Sequence, residues 1–333
     1  MKTTSILLQT LCVPCACRCR YCLLAWDGNV IGAEYERSAR YAERFVAWAK
    51  EARPALSVSF AFGYSMEHPD LLRAIRFLQR IGSPGGTFLQ CDGMRFRTDD
   101  ELDRLFEDLK AVGMETLNFT FYGTEAYHDR FAGRTGDFSL LCRMLQSAKR
   151  HGLSVTAGMP LTAENASMAG ELCDLLTDLG TESILPFVPH GEGRGSALEP
   201  IRFDLAAYER LPARVKTRLN TDLYQTEAAW VASPRCEPET RRMLLLSLTE
   251  ETLECCERTP FSDVIAKLEA LDERYYAAVP SFEALKARYG DPHGQKFYRR
   301  RDLFHLWQKR YLSENNLSVY DVTDERQSGS RRF

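Results

Sequence analysis

Apolar and polar positions along the first 190 residues fall into two alternating textures. Short apolar runs occur at 6–11, 56–62, 87–91, 116–122, 154–159 and 183–188, each with the length and bounding residues of a strand. Longer stretches with helical spacing separate them, near 33–52, 69–81, 99–112, 138–151 and 165–179. Several of these open on Pro, Asp or Asn and close on glycine, at Gly82, Gly113, Gly152 and Gly180, as helices do. Strand followed by helix, repeated, makes neighbouring strands parallel with right-handed crossovers. The six units predict an α/β fold, a partial (β/α)6 TIM-like barrel that stays open.

Beyond Pro200 the texture changes. Apolar 244–248, polar 249–252 and 253–256 together predict a β-hairpin, followed by helices near 263–275, 281–288 and 297–314. The chain thus divides into a barrel over 1–200, a smaller C-terminal α+β extension over 201–323 that caps substrate, and a polar tail over 324–333.

Composition narrows the class. A chain of 333 residues suits one large domain with an appendage, and 44% apolar with 27% charged residues is ordinary for a globular protein. A net charge of −3 argues against a surface spread for nucleic acid, so no nucleic-acid partner is expected. No apolar run reaches the roughly 18 residues of a membrane span, and the apolar N-terminal stretch is too short and interrupted for a secretory signal. The expectation is a cytoplasmic protein with no membrane partner. Eleven cysteines, five of them within 12–22, point to metal ligation rather than to a disulfide framework.

Within that run Cys15, Cys19 and Cys22 stand in the order C-x3-C-x2-C, on the loop after the first strand. Barrels of this kind carry their chemistry on loops after strands. Three thiolates on one loop can hold three irons of a [4Fe–4S] cluster and leave the fourth open for another ligand. A structural zinc site would pair C-x2-C twice, and no second pair exists, because Cys255 and Cys256 are adjacent. Arg18 and Arg20 make the loop a poor core segment, while Cys12 and Cys17, off the spacing, read as packed bystanders.

This spacing, with Tyr21 before the last cysteine, resembles the signature of the radical S-adenosylmethionine (radical SAM) enzymes, and the likeness extends over about the first 200 residues. The resemblance implies a [4Fe–4S] cluster on Cys15, Cys19 and Cys22, with Tyr21 packed near the adenine of SAM. It also implies reductive cleavage of SAM to a 5′-deoxyadenosyl radical that takes a hydrogen atom from substrate. An electron donor such as flavodoxin or ferredoxin would supply the electron. The family's Gly-Gly-Glu-Pro turn, which holds the SAM amine, corresponds here to residues 62–70. Gly63 replaces one glycine and Tyr64 stands where the carboxylate belongs, so backbone carbonyls or Glu67 are the alternatives, with Glu67 equally readable as a helix N-terminal acid. The fourth strand resembles the family's strand that ends in Gly before a His-Asp pair, here Gly123, His128 and Asp129. Alternation places Asn118, Thr120 and Tyr122 on one face, where Asn118 and Thr120 could hold the ribose or carboxylate of SAM. Arg130 and Arg134 follow as cations for a carboxylate or as surface ion pairs. The glycine-rich stretch 190–195 matches the loop beside the adenosine, with His190 and Arg194 as contacts to SAM or substrate.

In the C-terminal part, Cys236 followed by the expected hairpin and Cys255-Cys256 resembles the opening of a degenerate SPASM or twitch extension, which carries an auxiliary [4Fe–4S] cluster. Cys255 or Cys256 could instead act catalytically, giving a hydrogen atom to a substrate radical, or simply be buried. The arginines of 297–307 lie among aromatics at helical spacing and read as a solvated face. Three functions remain: a peptide-modifying enzyme, favoured by the hairpin and its cysteines; a small-molecule epimerase or dehydrogenase, favoured by compact size; and a non-catalytic iron–sulfur protein, favoured by the altered glycine turn. The first is the leading expectation. The chain starts at the first strand, which argues against an N-terminal peptide-recognition domain.

Overall fold

The computed structural model describes residues 5–11, 15–22, 34–63, 65–191, 193–234 and 243–319. Cys12, Tyr64, Cys236 and the tail 324–333 lie outside the described residues. Six strands, β1 (Ser5–Leu11), β2 (Ser57–Gly63), β3 (Phe88–Gln90), β4 (Thr116–Thr120), β5 (Ser154–Pro160) and β6 (Ser183–Phe187), follow the predicted order. Between them run α1 (Tyr35–Ala52), α2 (Leu71–Arg80), α3 (Asp99–Ala111), α4 (Glu125–Ala132), α5 (Asp137–Arg150) and α6 (Ala169–Asp178). The pattern predicts α5 but not the short α4 before it, which ends on Gly133 in the left-handed conformation.

Strands β3-β4-β5-β6 form a four-stranded parallel sheet in sequence order. The outward residues Leu117, Phe119, Val155, Ala157 and Ile184 form the core beneath the helices. In the same register Gln90 pairs with Asn118, and Asn118 with Thr156, on the opposite, inner face. That inner face is polar and partly open, the half-solvated lumen of a barrel. The sheets are not closed: β1 and β2 belong to a separate three-stranded parallel sheet.

Later in the chain come α7 (Leu205–Arg210), α8 (Ala213–Lys216), β7 (Tyr224–Thr226), α9 (Glu227–Ala232), β8 (Met243–Ser247), α10 (Glu250–Glu257), α11 (Phe261–Ala278), α12 (Phe282–Tyr289), β9 (Phe297–Arg299) and α13 (Arg300–Glu314). The expected hairpin over 244–256 is replaced by a strand and a helix. Leu244, Leu245 and Leu246 are all buried, a continuous apolar run suited to a parallel strand, and β8 pairs with β1. Thr249 then caps α10 by accepting the Thr252 N–H at 3.2 Å, with Glu250 and Glu251 in the first turn. The polar stretch read as a turn is a helix start. Strands β7 and β9 pair antiparallel beside a satellite core that includes Trp230, Tyr275, Phe304 and Trp307. Among the described residues no helix is long and apolar enough to cross a membrane.

Candidate cofactor site

The cysteine loop leaves β1 at the edge where the strands of both parallel sheets end, and main-chain hydrogen bonds seat it there. The Ala16 N–H donates to the Gly93 carbonyl (2.9 Å), Arg18 N–H to that of Ala132 (2.7 Å) and Arg20 N–H to that of Phe131 (3.0 Å). At its far end the Cys22 carbonyl accepts from the Arg194 N–H (3.0 Å). The loop therefore ties together the segment after β3, the end of α4 and the loop after β6. Arg18 closes it internally, Nη1 donating to the carbonyls of Cys15 and Cys17 at 3.0 Å each. Two glycines make the fit possible. Gly93, at φ +73°, has Cys15 Sγ where a Cβ would stand, and Gly133, at φ +67°, has Arg18 Cβ 2.9 Å from the equivalent point.

The sulfurs of Cys15, Cys17 and Cys19 lie in hydrogen-bonding reach of one another through Cys17. Hydrogen bonds from Cys15 and Cys19, with Arg134 nearby, pull Cys17 down, whereas the hydrogen bond with Cys17, burial and the charge of Cys17 push Cys15 and Cys19 up. Cys17 Sγ also lies 3.5 Å from Asp137 Oδ1. Cys17 is thus more than a packed bystander, being joined to a buried polar chain. Asp137 accepts from His128 Nε2 at 3.1 Å and from Arg134 Nη1 at 3.2 Å, and His128 Nδ1 accepts the Tyr122 N–H at 3.2 Å. Tyr122 returns to the loop, its hydroxyl donating to Cys19 Sγ at 3.1 Å. Burial pushes the phenols of Tyr21 and Tyr122 up, so both remain donors.

Tyr21 lies among aromatic rings: Tyr122, Phe131, Phe187 and His190, at centroid distances of 5.6, 6.1, 6.2 and 6.5 Å. Thr120, the last residue of β4, faces Asp92. Its N–H and Oγ1 donate to the Asp92 carboxylate at 2.8 and 2.7 Å, and Gln90 Nε2 donates to the same carboxylate. Burial pushes the Asp92 carboxyl up to about 6, against those hydrogen bonds.

The structure brings Cys15, Cys19, Tyr21, Thr120 and His190 to one rim, with Cys22 at the loop's end. Asn118 sits two residues deeper along β4, its Nδ2 donating to Thr156 Oγ1 at 2.7 Å. Gly63 pairs with Leu11 at the ends of β2 and β1. Arg134 reaches the loop but is committed, pairing with Asp137, donating to the Met94 carbonyl and stacking on Phe96 at 4.0 Å. Glu67 is likewise held, by Arg97 Nη2 at 3.0 Å and the Arg95 N–H at 2.9 Å. Cys255 and Cys256 are not brought to the rim. Cys256 is buried beneath α1 in a different core from the cysteine loop, pushed up to about 12 by burial, while Cys255 is exposed. Sequence reasoning missed Asp92, Gly93 and the His128–Asp137 pair as site residues. Only the left-handed glycines carried a faint local signal.

Among the described residues no group of three or more His, Cys, Asp or Glu is set out as a metal site. The donor chemistry of the loop nonetheless fits an iron–sulfur cluster, because Cys15, Cys19 and Cys22 are thiol ligands on one anchored turn.

Residues 12–176 match the radical SAM superfamily. The chain carries a radical SAM domain. The fold is similar to that of SuiB from Streptococcus suis bound to S-adenosylmethionine, with a TM-score of 0.49 and 15% identity, covering 71% of this chain and 54% of that one. SuiB bound to its precursor peptide SuiA gives a TM-score of 0.47 and 16% identity, over 64% and 45% of the two chains. TsrM, a radical S-adenosylmethionine methyltransferase from Kitasatospora setae, gives 0.34 and 17%, over 55% and 36%. The chain thus spans about half or less of the length of these structures. No curated protein matches the sequence.

Proposed function

We propose that this chain is a radical SAM enzyme, holding a [4Fe–4S] cluster through Cys15, Cys19 and Cys22 and binding SAM across the rim, and that its substrate is a peptide. The observation that carries the reading is the anchored cysteine loop beside the aromatic cradle of Tyr21, Phe187 and His190. When bound, the cluster and SAM would supply reductive cleavage to a 5′-deoxyadenosyl radical, which takes hydrogen from the substrate. The protein's part is positioning. Tyr21 and its neighbouring rings offer a face for adenine. Tyr122 donates to the Cys19 sulfur, and hydrogen bonds to ligand sulfurs adjust a cluster's potential. An external one-electron carrier of the flavodoxin or ferredoxin kind would supply the electron.

Support for a peptide is the inner face of the sheet, where the amides and hydroxyls of Gln90, Asn118, Thr120 and Thr156 hydrogen-bond to one another and to the Asp92 carboxylate. Such groups match the donors and acceptors of a peptide better than those of a phosphorylated metabolite. The cysteine-donor form of the epimerase reading loses its support, since a hydrogen donor must face the substrate radical, whereas Cys256 packs in the helix-side core and Cys255 is exposed on α10. The auxiliary cluster has none either. Consecutive helical residues point apart, leaving Cys255 exposed and Cys256 buried, with Cys236 outside the described residues.

The test is anaerobic reconstitution followed by SAM and dithionite. We expect 5′-deoxyadenosine and methionine in equal amounts, abolished by Cys15→Ala, Cys19→Ala or Cys22→Ala. Cleavage retained by any of the three would overturn the ligand assignment.

A further inference from the structure

Behind the cysteine loop, Tyr122, His128, Asp137 and Asn165 are all buried. Two of them clamp the main chain of Tyr122 from either side. Its N–H donates to His128 Nδ1 at 3.2 Å, and its carbonyl accepts from Asn165 Nδ2 at 2.7 Å. Because Nδ1 accepts, the imidazole proton sits on Nε2, which donates to Asp137 Oδ2 at 3.1 Å. Asp137 is held in turn by Arg134 Nη1, 3.2 Å from Oδ1. The Tyr122 ring stacks on Phe131 at 4.6 Å and lies 4.9 Å from the His128 ring. Main chain and ring are thus both fixed, and the hydroxyl they carry donates to Cys19 Sγ at 3.1 Å.

Burying an imidazole and a carboxylate is costly, and this pair spends that cost on one main-chain N–H. We propose that His128 and Asp137 are positioning residues that set the Tyr122 hydroxyl on the Cys19 sulfur, and that this hydrogen bond raises the reduction potential of the cluster. The inference rests on the proposed ligation of a [4Fe–4S] cluster by Cys15, Cys19 and Cys22. Reduction adds an electron to the cluster and negative charge to its thiolates. A donor fixed on one of those sulfurs stabilises the reduced state more than the oxidised one. Burial serves the same end, because in a low dielectric the hydrogen bond is stronger than in water.

The experiment is an anaerobic redox titration of the reconstituted protein without SAM, followed by electron paramagnetic resonance of the reduced cluster. Tyr122→Phe keeps the ring and removes the hydroxyl. It should retain about four irons and move the midpoint to a more negative potential, so that the ratio of reduced to oxidised cluster at a fixed potential falls by about threefold to tenfold. His128→Ala should move the midpoint in the same direction, and His128→Gln, whose amide oxygen can accept the same N–H, should restore part of the shift. In the double variant Tyr122→Phe/His128→Ala the midpoint should match that of Tyr122→Phe alone, because His128 acts through the hydroxyl. An unchanged midpoint in Tyr122→Phe would overturn the role of the hydroxyl. An unchanged midpoint in His128→Ala, or shifts that add in the double variant, would overturn the positioning role. Wild-type protein with no cluster to titrate would overturn the proposed function itself, and this inference with it.

Discussion

Position 93 shows how narrowly the site is fitted. A Cβ there would overlap Cys15 Sγ, and the backbone lies at φ +73°, a conformation that costs a non-glycine residue about 1–2 kcal/mol before any clash. Gly93→Ala should therefore lower stability by about 2 kcal/mol or more in chemical denaturation and displace Cys15. Unchanged stability would mean the loop does not seat against residue 93. The three cysteines were legible in the sequence because a short loop fixes their spacing whatever the rest of the chain does. Asp92 and Asp137 were not, because their meaning comes from partners 28 and 120 residues away, Thr120 and Cys17. Nothing local to Cys17 separates a packed thiol from one aimed at a buried aspartate.

Among elements, the six barrel strands and most helices were readable from apolar periodicity and terminal glycines. The segment over 244–256 was misread, because Thr249-Glu250-Glu251-Thr252 has the polarity of a turn and also the cap and acidic first turn of a helix. Polarity alone does not choose between them. Burial of Leu253 and Cys256 on one face of α10 does, since that face packs with α1 and α11. Thr249→Ala should cost about 1 kcal/mol of stability through the lost cap while leaving iron content intact. Loss of iron in that variant would tie α10 to the cofactor site, contrary to its packing.

In the molecule as a whole, the described residues of the cysteine loop and the aromatic rings around Tyr21 meet at one rim. The loop after β1 is joined to the segments after β3 and β6 and to the end of α4, while β8 supports β1 from its other side. The domain boundary expected at residue 200 was read from a change of texture. Pairing between β1 and β8 is a contact across 238 positions, as between Ser5 and Met243, which no local pattern reveals. We propose one cluster, held by the loop of Cys15, Cys19 and Cys22, with no ligand role for Cys255 and Cys256. Iron and acid-labile sulfide after anaerobic reconstitution, compared between wild type and the Cys15/Cys19/Cys22→Ala triple variant, test this most directly. We expect about four irons per chain in wild type and almost none in the variant. Iron-free wild-type protein, or about four irons surviving in the triple variant, would contradict it.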